Sequence, residues 1–322
     1  MAVKIIGTGS ALPEKIVSNH DLAKLVDTSD EWIKERTGIS NRHISTGETV
    51  AQLASLACER ALQNAGKAPE DIELLIVASC SVEWALPCAA CQVQDKIQAK
   101  NAVAFDLNAA CAGFMFALNT AYAYMSAGIY KTALIAGAEV LSKIVDWEDR
   151  TTCVLFGDGA GAVVLENNEK DGGILGFVQY ADGSKGHVLS CGIRAINNPF
   201  YKGNELPSYV TMDGREVFQF AVRQVPTSIF EVLEKADMTA DQIDFFLLHQ
   251  ANARIIETIA KRIKCPIEKF PMNVSECGNM SSACLPVLMD QMNREGKLKE
   301  GMKLVLSGFG AGLTYGACAM VW

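Results

Sequence analysis

The chain has 322 residues, 49% of them hydrophobic and 20% charged, which suits one large domain or two fused ones of about 150 residues and predicts no long disordered stretch. Its formal net charge of −8 argues against a nucleic-acid-binding surface, so any acidic partner needs a local basic patch. The cysteines number 11, an odd count set mostly in apolar segments, which predicts a reducing cytoplasm and mostly buried free thiols.

In chain order, "MAVKIIGTGS" has no signal-peptide layout, in keeping with a cytoplasmic protein. "ETVAQLASLACERALQNAG" (48–66) keeps Leu53, Leu56, Ala57, Arg60 and Ala61 at helical spacing and predicts a helix ended by Gly66. "ELLIVASC" (73–80) reads as a buried strand. Cys88 and Cys91 form a CxxC without a second pair at matching spacing, which predicts core packing and no metal. The weakly charged stretch 107–130 predicts a helix buried on all sides; a membrane span needs about 20 steadily apolar residues. "KTALIAGAE" (131–139), "GAVVLE" (161–166), "DFFLLHQ" (244–250) and "KLVLSG" (303–308) predict further buried strands. The alternation predicts an α/β fold with mainly parallel strands.

The two halves match each other. Leu62 aligns with Leu233, Ile72 with Ile243 and Val77 with Leu248, each pair 171 positions apart. "FDLN" (105–108) aligns with "FPMN" (270–273) at 165, and Gly128 with Gly296 at 168. A duplicated βα unit explains this, joined near "ENNEKDGG" (166–173), with halves 1–172 and 173–322. Equivalent loops should converge across a pseudo-twofold. At a spacing of 168, the loop of Cys111 faces "CGNMSSA" (277–283), with Asn279 opposite the thiol.

Three residues carry candidate chemistry. Asn108 is predicted to cap a helix starting near Ala109, which puts Cys111 in the first turn, where free N–H groups and the helix dipole favour a thiolate. The alternative for Cys111 alone is a core thiol. Of the histidines at 20, 43, 187 and 249, only His249 sits at a strand end with a polar turn behind it, a frequent place for active-site groups in α/β folds. Asn279 lies in a small-residue turn before a helix. Two GxGxG stretches, "GDGAGAVVLE" (157–166) and "SGFGAGLTYGACAMVW" (307–322), run into strand-like residues, not helices. That excludes a dinucleotide fingerprint and predicts strand–turn–strand units whose glycines bring backbone N–H groups close to a ligand.

"DEWIKERTGI", "NAACAGF", "DRTTCVLFGDGAGA", "HQANARI", "GNMSSA" and "GFGAGLTYG", in this order and spacing, resemble β-ketoacyl-acyl carrier protein synthase III, the enzyme that initiates bacterial type II fatty acid synthesis. The resemblance covers essentially the whole chain. It implies a thiolase-like α/β fold, two duplicated βα halves about a pseudo-twofold layered α-β-α-β-α, and a homodimer. It implies a Cys-His-Asn triad of Cys111, His249 and Asn279. Cys111 takes an acyl group from acyl-CoA, and His249 and Asn279 stabilise the enolate formed when malonyl-acyl carrier protein loses CO2. Both are substrates; no cofactor, metal, nucleic acid or membrane is implied. An enolate calls for neutral or cationic donors, which suits these residue types.

Further roles follow from the resemblance alone. The backbone N–H groups of Cys111 and Ala311 form the oxyanion hole; many family members have glycine at the second position, and alanine serves there if its φ is negative. Trp32 and Arg150 flank the adenine of coenzyme A, Arg36 meets the phosphates, Asn252 the pantetheine, and Gly214, Val217, Phe218 and Ala221 line the tunnel. Arg215 stands where the family often has asparagine. Leu86, Leu141 and Phe156 shape the acyl pocket, Leu86 from the partner subunit, and leucine there predicts tolerance of longer or branched primers. Arg254, Lys261, Arg262 and Lys264 form a basic cluster for acyl carrier protein, or else an ordinary solvated helix face. "GFGAGLTYG" lacks the second cysteine of a degradative thiolase, and Asn279 stands where elongating synthases have histidine. Glu83 leaves open a hydroxymethylglutaryl-CoA-type acid. A plant-type polyketide synthase is usually longer. A specialised bacterial condensing enzyme and a non-catalytic CoA binder remain as alternatives.

Overall fold

A computed structural model describes residues 2–168, 172–203 and 205–322. Sheet I contains β1 (Ala2–Ala11), β2 (Leu74–Ala78), β3 (Val103–Leu107), β4 (Thr132–Glu139) and β5 (Gly159–Asn168), in the order β1-β5-β4-β2-β3. Sheet II contains β6 (Gly173–Ala181), β7 (Phe245–Leu248), β8 (Lys303–Gly310) and β9 (Thr314–Val321), in the order β7-β8-β9-β6. The predicted join at 166–173 includes residues 169–171, which lie outside the described residues.

The expectation of mainly parallel strands is corrected. β2 runs parallel to β3 and β4, and β7 to β8. The pairs β1–β5, β4–β5, β8–β9 and β6–β9 are antiparallel. Residues 311–313 alone join β8 to β9, too few for the crossover a parallel pair needs. Antiparallel strands covered on both faces carry the same unbroken apolar runs as parallel ones, so composition does not separate them.

The principal helices are α1 (Asp30–Thr37), α2 (Val50–Ala65), α3 (Ala89–Lys96), α4 (Gly113–Ser126), α5 (Gly214–Lys235), α6 (Ala253–Ile263) and α7 (Cys284–Arg294). In α2, Thr49 and Gln52 form a reciprocal capping box, and Gly66 ends the helix at φ 64°. Period-two alternation then sorts the strands. Leu74, Ile76 and Ala78 face the central helices α4 and α7, whereas Leu75 and Val77 face α2 and α3. Phe246 and Leu248 face α5 and α6, and Leu247 joins the central layer. The result is α-β-α-β-α. Each fully buried Leu or Ile side chain contributes about 1.5–3 kcal/mol to holding these layers together.

Two local expectations change. α4 is buried through its first turns, but Ala123, Tyr124 and Ser126 near its end are exposed while Met125 stays in the core. The CxxC is not core: Cys88 caps α3 half-buried, and Cys91 is exposed beside Ala104 of β3, an edge strand.

The duplication holds at a spacing of 171, at which β1 and β6, β2 and β7, β4 and β8, and α4 and α7 all begin. Ala110 and Ser281 both take left-handed backbone, at φ 46° and 47°. Asn108 and Asn279 each accept the N–H two residues on, at 3.1 and 2.8 Å. The counterpart of Asn279 is therefore Asn108, and that of Cys111 is Ser282. The predicted spacing of 168 at this loop is off by three residues, because "FPMN" forms no strand to match β3 and the loops between differ in length.

Candidate active site

β3 delivers the chain to Asn108, whose side chain accepts the Ala110 N–H. A single 3-10 turn, Ala110–Ala112, then leads into α4. The helix therefore starts a few residues later than predicted, and Cys111 sits in the turn leading into it, buried at 9% exposure. Its N–H lies where a helical turn supplies no acceptor. Gly310 at the end of β8 lies directly against it: a Cβ there would stand 2.7 Å from the Cys111 nitrogen. Ala311 follows, outside the positive-φ residues, as a backbone donor at alanine requires.

The expected thiolate is not favoured at rest. Burial pushes the Cys111 thiol up to about 12, with the Ser281 hydroxyl opposing and Glu139 adding to the effect. Against an ordinary 9.0, that disfavours the thiolate by roughly 4 kcal/mol, more than the about 0.3–2 kcal/mol a helix end supplies. Cys111 therefore rests as a thiol.

His249 follows β7, its N–H donating to Ser307 O at 2.9 Å, and its ring stands edge-on to Phe309 with centroids 5.1 Å apart. The side chain is 1% exposed, and its Nδ1 has no partner among the described residues. Burial depresses its pKa to about 3, so it is a neutral imidazole at physiological pH. Asn279 is fixed through its backbone, which bonds Leu155 and Gly157 at 2.9 and 3.0 Å. Its Oδ1 accepts from Ser281 N, which leaves the amide N–H groups as donors.

One cavity of about 640 Å³ brings these groups together. Cys111, His249, Asn279, Phe156, Phe309 and Gly310 line its buried part, Val217, Phe218 and Asn252 its middle, and Trp32, Arg36, Gly214, Arg215 and Arg254 its rim. This passage from charged, exposed rim to apolar, buried end is that of a tunnel. The Arg36 guanidinium stands 4.7 Å from the Trp32 ring centre and that of Arg150 5.4 Å, so both cations face the indole.

The sequence family described as 3-Oxoacyl-[acyl-carrier-protein (ACP)] synthase III matches residues 105–183, and 3-Oxoacyl-[acyl-carrier-protein (ACP)] synthase III C terminal matches 233–322. The Beta-ketoacyl-[acyl-carrier-protein] synthase III of Clostridium acetobutylicum is 49% identical over 322 residues, 100% of this chain and 99% of the relative. The chain belongs to the β-ketoacyl-[acyl-carrier-protein] synthase III family. The crystal structure of 3-oxoacyl-[acyl-carrier-protein] synthase III from Aquifex aeolicus VF5 superposes with a TM-score of 0.94 at 42% identity, covering 100% of both chains. The priming β-ketosynthase of the R1128 polyketide pathway superposes at 0.93 with 33% identity, covering 99% of this chain and 96% of the other.

Other residues expected from this synthase family fall in different places. Asn252 caps α6 through Arg254 N at 2.8 Å and donates to Arg36 O at 2.9 Å, so it ties α1 to the tunnel. Arg150 lies outside the cavity lining and bonds Asp27 O at 2.7 Å. Ala221 and Leu141 are buried behind the lining. Leu86 is 85% exposed and lies outside the cavity lining. Arg254, Lys261, Arg262 and Lys264 are all exposed on or beside α6. Glu83 is removed from the chemistry: it accepts Val50 N at the start of α2 and pairs with Lys143 at 2.6 Å. The glycines of the first GxGxG serve packing rather than a ligand, since a Cβ at Gly161 would stand 2.5 Å from Val287 N in α7. Sequence reading missed Gly310 against the thiol and Glu139 behind it. The signal for Glu139 was present, as the one carboxylate closing an otherwise buried strand.

Proposed function

We propose that the chain condenses an acyl-CoA primer with malonyl-acyl carrier protein, giving 3-oxoacyl-acyl carrier protein, CO2 and CoA, with Cys111 as acyl carrier. The observation that carries this reading is the single cavity joining Cys111, His249 and Asn279 at its buried end to a cationic and aromatic rim. In the first stage the Cys111 sulfur bonds the acyl carbon, the bond to the CoA sulfur breaks, and the thiol proton ends on CoA. The N–H groups of Cys111 and Ala311 hold the tetrahedral oxyanion. Such preorganised donors are worth about 2.7–4 kcal/mol each.

In the second stage the malonyl thioester loses CO2, and its electron pair becomes an enolate. Neutral His249 and the Asn279 amide donate to the enolate oxygen. The carbanion then bonds the acyl carbon, the thioester to Cys111 breaks, and the thiolate takes up a proton. A buried neutral imidazole serves this role in the tautomer whose proton is on the nitrogen facing the enolate oxygen.

Trp32 and Arg36 at the rim, with Arg150 facing the same indole from outside the lining, support coenzyme A binding, since planar guanidinium and indole groups stack on a base and pair with phosphates. Arg254 at that rim, with exposed Lys261, Arg262 and Lys264 further along the chain at and beyond the end of α6, supports docking of an acidic carrier protein. The one-sided edge of β3, with Val103 51% exposed, and the exposed Leu86 support a homodimer. The cysteines carry no disulfide, which supports a reducing cytoplasm. A second reading, priming of a specialised pathway, is favoured by the likeness to the R1128 priming synthase and differs only in the carrier protein served.

The test is intact mass after mixing the protein with acetyl-CoA, isobutyryl-CoA or hexanoyl-CoA, beside Cys111→Ser. An acyl adduct on the wild type and none on the variant is the expected result. No adduct from any primer, on a folded protein with a free thiol, overturns the assignment.

A further inference from the structure

Glu139 ends β4 behind the Cys111 turn and is 0% exposed. Among the described residues it forms no ion pair. Its carboxyl instead meets Ser79 Oγ at 3.1 Å, Cys80 N at 3.2 Å, Ser81 Oγ, and Ser282 Oγ at 2.8 Å. Ser282 Oγ also stands 2.9 Å from the carbonyl oxygen of Ala78. A hydroxyl has one proton, and a carbonyl can only accept. Both Ser282 contacts are satisfied when its proton goes to Ala78 O and Glu139 supplies the proton between Oε1 and Oγ.

The duplication gives this contact its meaning. Ser282 is the counterpart of Cys111, and Glu139, 171 positions before Gly310, is the counterpart of that glycine. In one copy the strand-end residue is a glycine that makes room beside the nucleophile. In the other it is a carboxyl group that fills the same place and grips the serine. One copy of the turn reacts, and the other is a clamp.

We propose that Glu139 is a positioning residue acting as a neutral carboxylic acid, donating to Ser282 Oγ so that the Asn279 turn of the second half is locked to the 79–81 turn of the first, with no charge beside Cys111. This rests on the assignment of Cys111 and Asn279 above. Ser281 and Ser282 belong to the turn that holds the Asn279 amide oxygen. The titratable groups facing Glu139 are the thiols of Cys80 and Cys111. An ionised carboxylate here would be a buried charge without a cation, and it would oppose negative charge on the nucleophile. Burial raises the Glu139 carboxyl above its ordinary range, with the serine hydroxyls opposing.

Glu139→Gln, Glu139→Leu and Ser282→Ala are compared with the wild type in single-turnover condensation, in KM for acyl-CoA and in infrared difference spectra. Glutamine offers an acceptor and a donor without charge, and should keep the turnover rate within about threefold. Leucine fills the space without hydrogen bonds, and misplacing the turn by about 1 Å should slow turnover up to about 100-fold with KM little changed. Ser282→Ala, a smaller change that tests the clamp if the leucine variant does not fold, should slow turnover in the same way. The wild type should show the C=O stretch of a protonated carboxyl that Glu139→Gln lacks. A carboxylate signature in its place, a glutamine variant as slow as the leucine variant, or full activity in Ser282→Ala overturns the proposal. Failure of the site assignment is distinct, since it appears as the absence of an acyl-Cys111 adduct in the wild type itself.

Discussion

Alanine in place of Gly310 puts a methyl carbon 2.7 Å from the Cys111 nitrogen, 2.9 Å from its Cβ and 3.1 Å from its Cα. None of these atoms is the free end of a flexible side chain, so relief requires the β8 backbone and the Cys111 turn to separate. Carbon contacts settle at about 3.5–4.0 Å, which sets the displacement at roughly 0.8 Å. Overpacking of this kind costs about 1–3 kcal/mol of stability. A shift near 1 Å costs about 100-fold in rate, or about 2.7 kcal/mol of transition-state stabilisation. Gly310→Ala should therefore acylate at least about 30-fold more slowly than wild type, followed as intact mass against time with acetyl-CoA. Gly176→Ala in β6, where nothing lies within 4 Å of the added carbon, is the control and should be unchanged. A folded Gly310→Ala protein that acylates within threefold of wild type would refute the reasoning that this glycine exists to seat the nucleophile.

His249 gives a pH dependence. Its folded pKa, about 3, lies below the ordinary 6.5, so the folded chain binds fewer protons than the unfolded one between those values, and stability falls as pH drops. From pH 7 to 5 wild type should lose about 2 kcal/mol more than His249→Asn in urea unfolding, and parallel losses would count against a buried neutral ring. Arg254→Glu should raise KM for malonyl-acyl carrier protein by at least about tenfold while leaving acyl transfer from CoA within a few-fold; equal losses would sink the docking surface. With leucine at position 86, isobutyryl-CoA should acylate Cys111 at a rate comparable with acetyl-CoA, and negligible reaction with the branched primer would show that Leu86 does not widen the pocket.

Much of this protein was legible before folding. Helix α2 was readable because Leu53, Ala57 and Ala61 recur at helical spacing and Gly66 ends the helix locally. The duplication was readable because a repeated βα unit repeats its apolar pattern. Cys111, His249 and Asn279 were readable as candidates because chemistry constrains residue type, and the ordered motifs named the family. Strand direction, by contrast, was not readable, since buried strands of either direction have the same composition.

The sequence by itself determined the layers, the family and the candidate residue types of the site, all of which depend on local periodicity or on residue identity. The tertiary structure alone decided that the thiol rests protonated, that the imidazole stays neutral, that Glu83 belongs to a helix end and Glu139 to the site, and that Gly310 touches Cys111. Each of these depends on which atoms from distant segments exclude water or come within hydrogen-bonding distance. Burial and contact are properties of the packed whole, and they set the protonation states of Cys111 and His249.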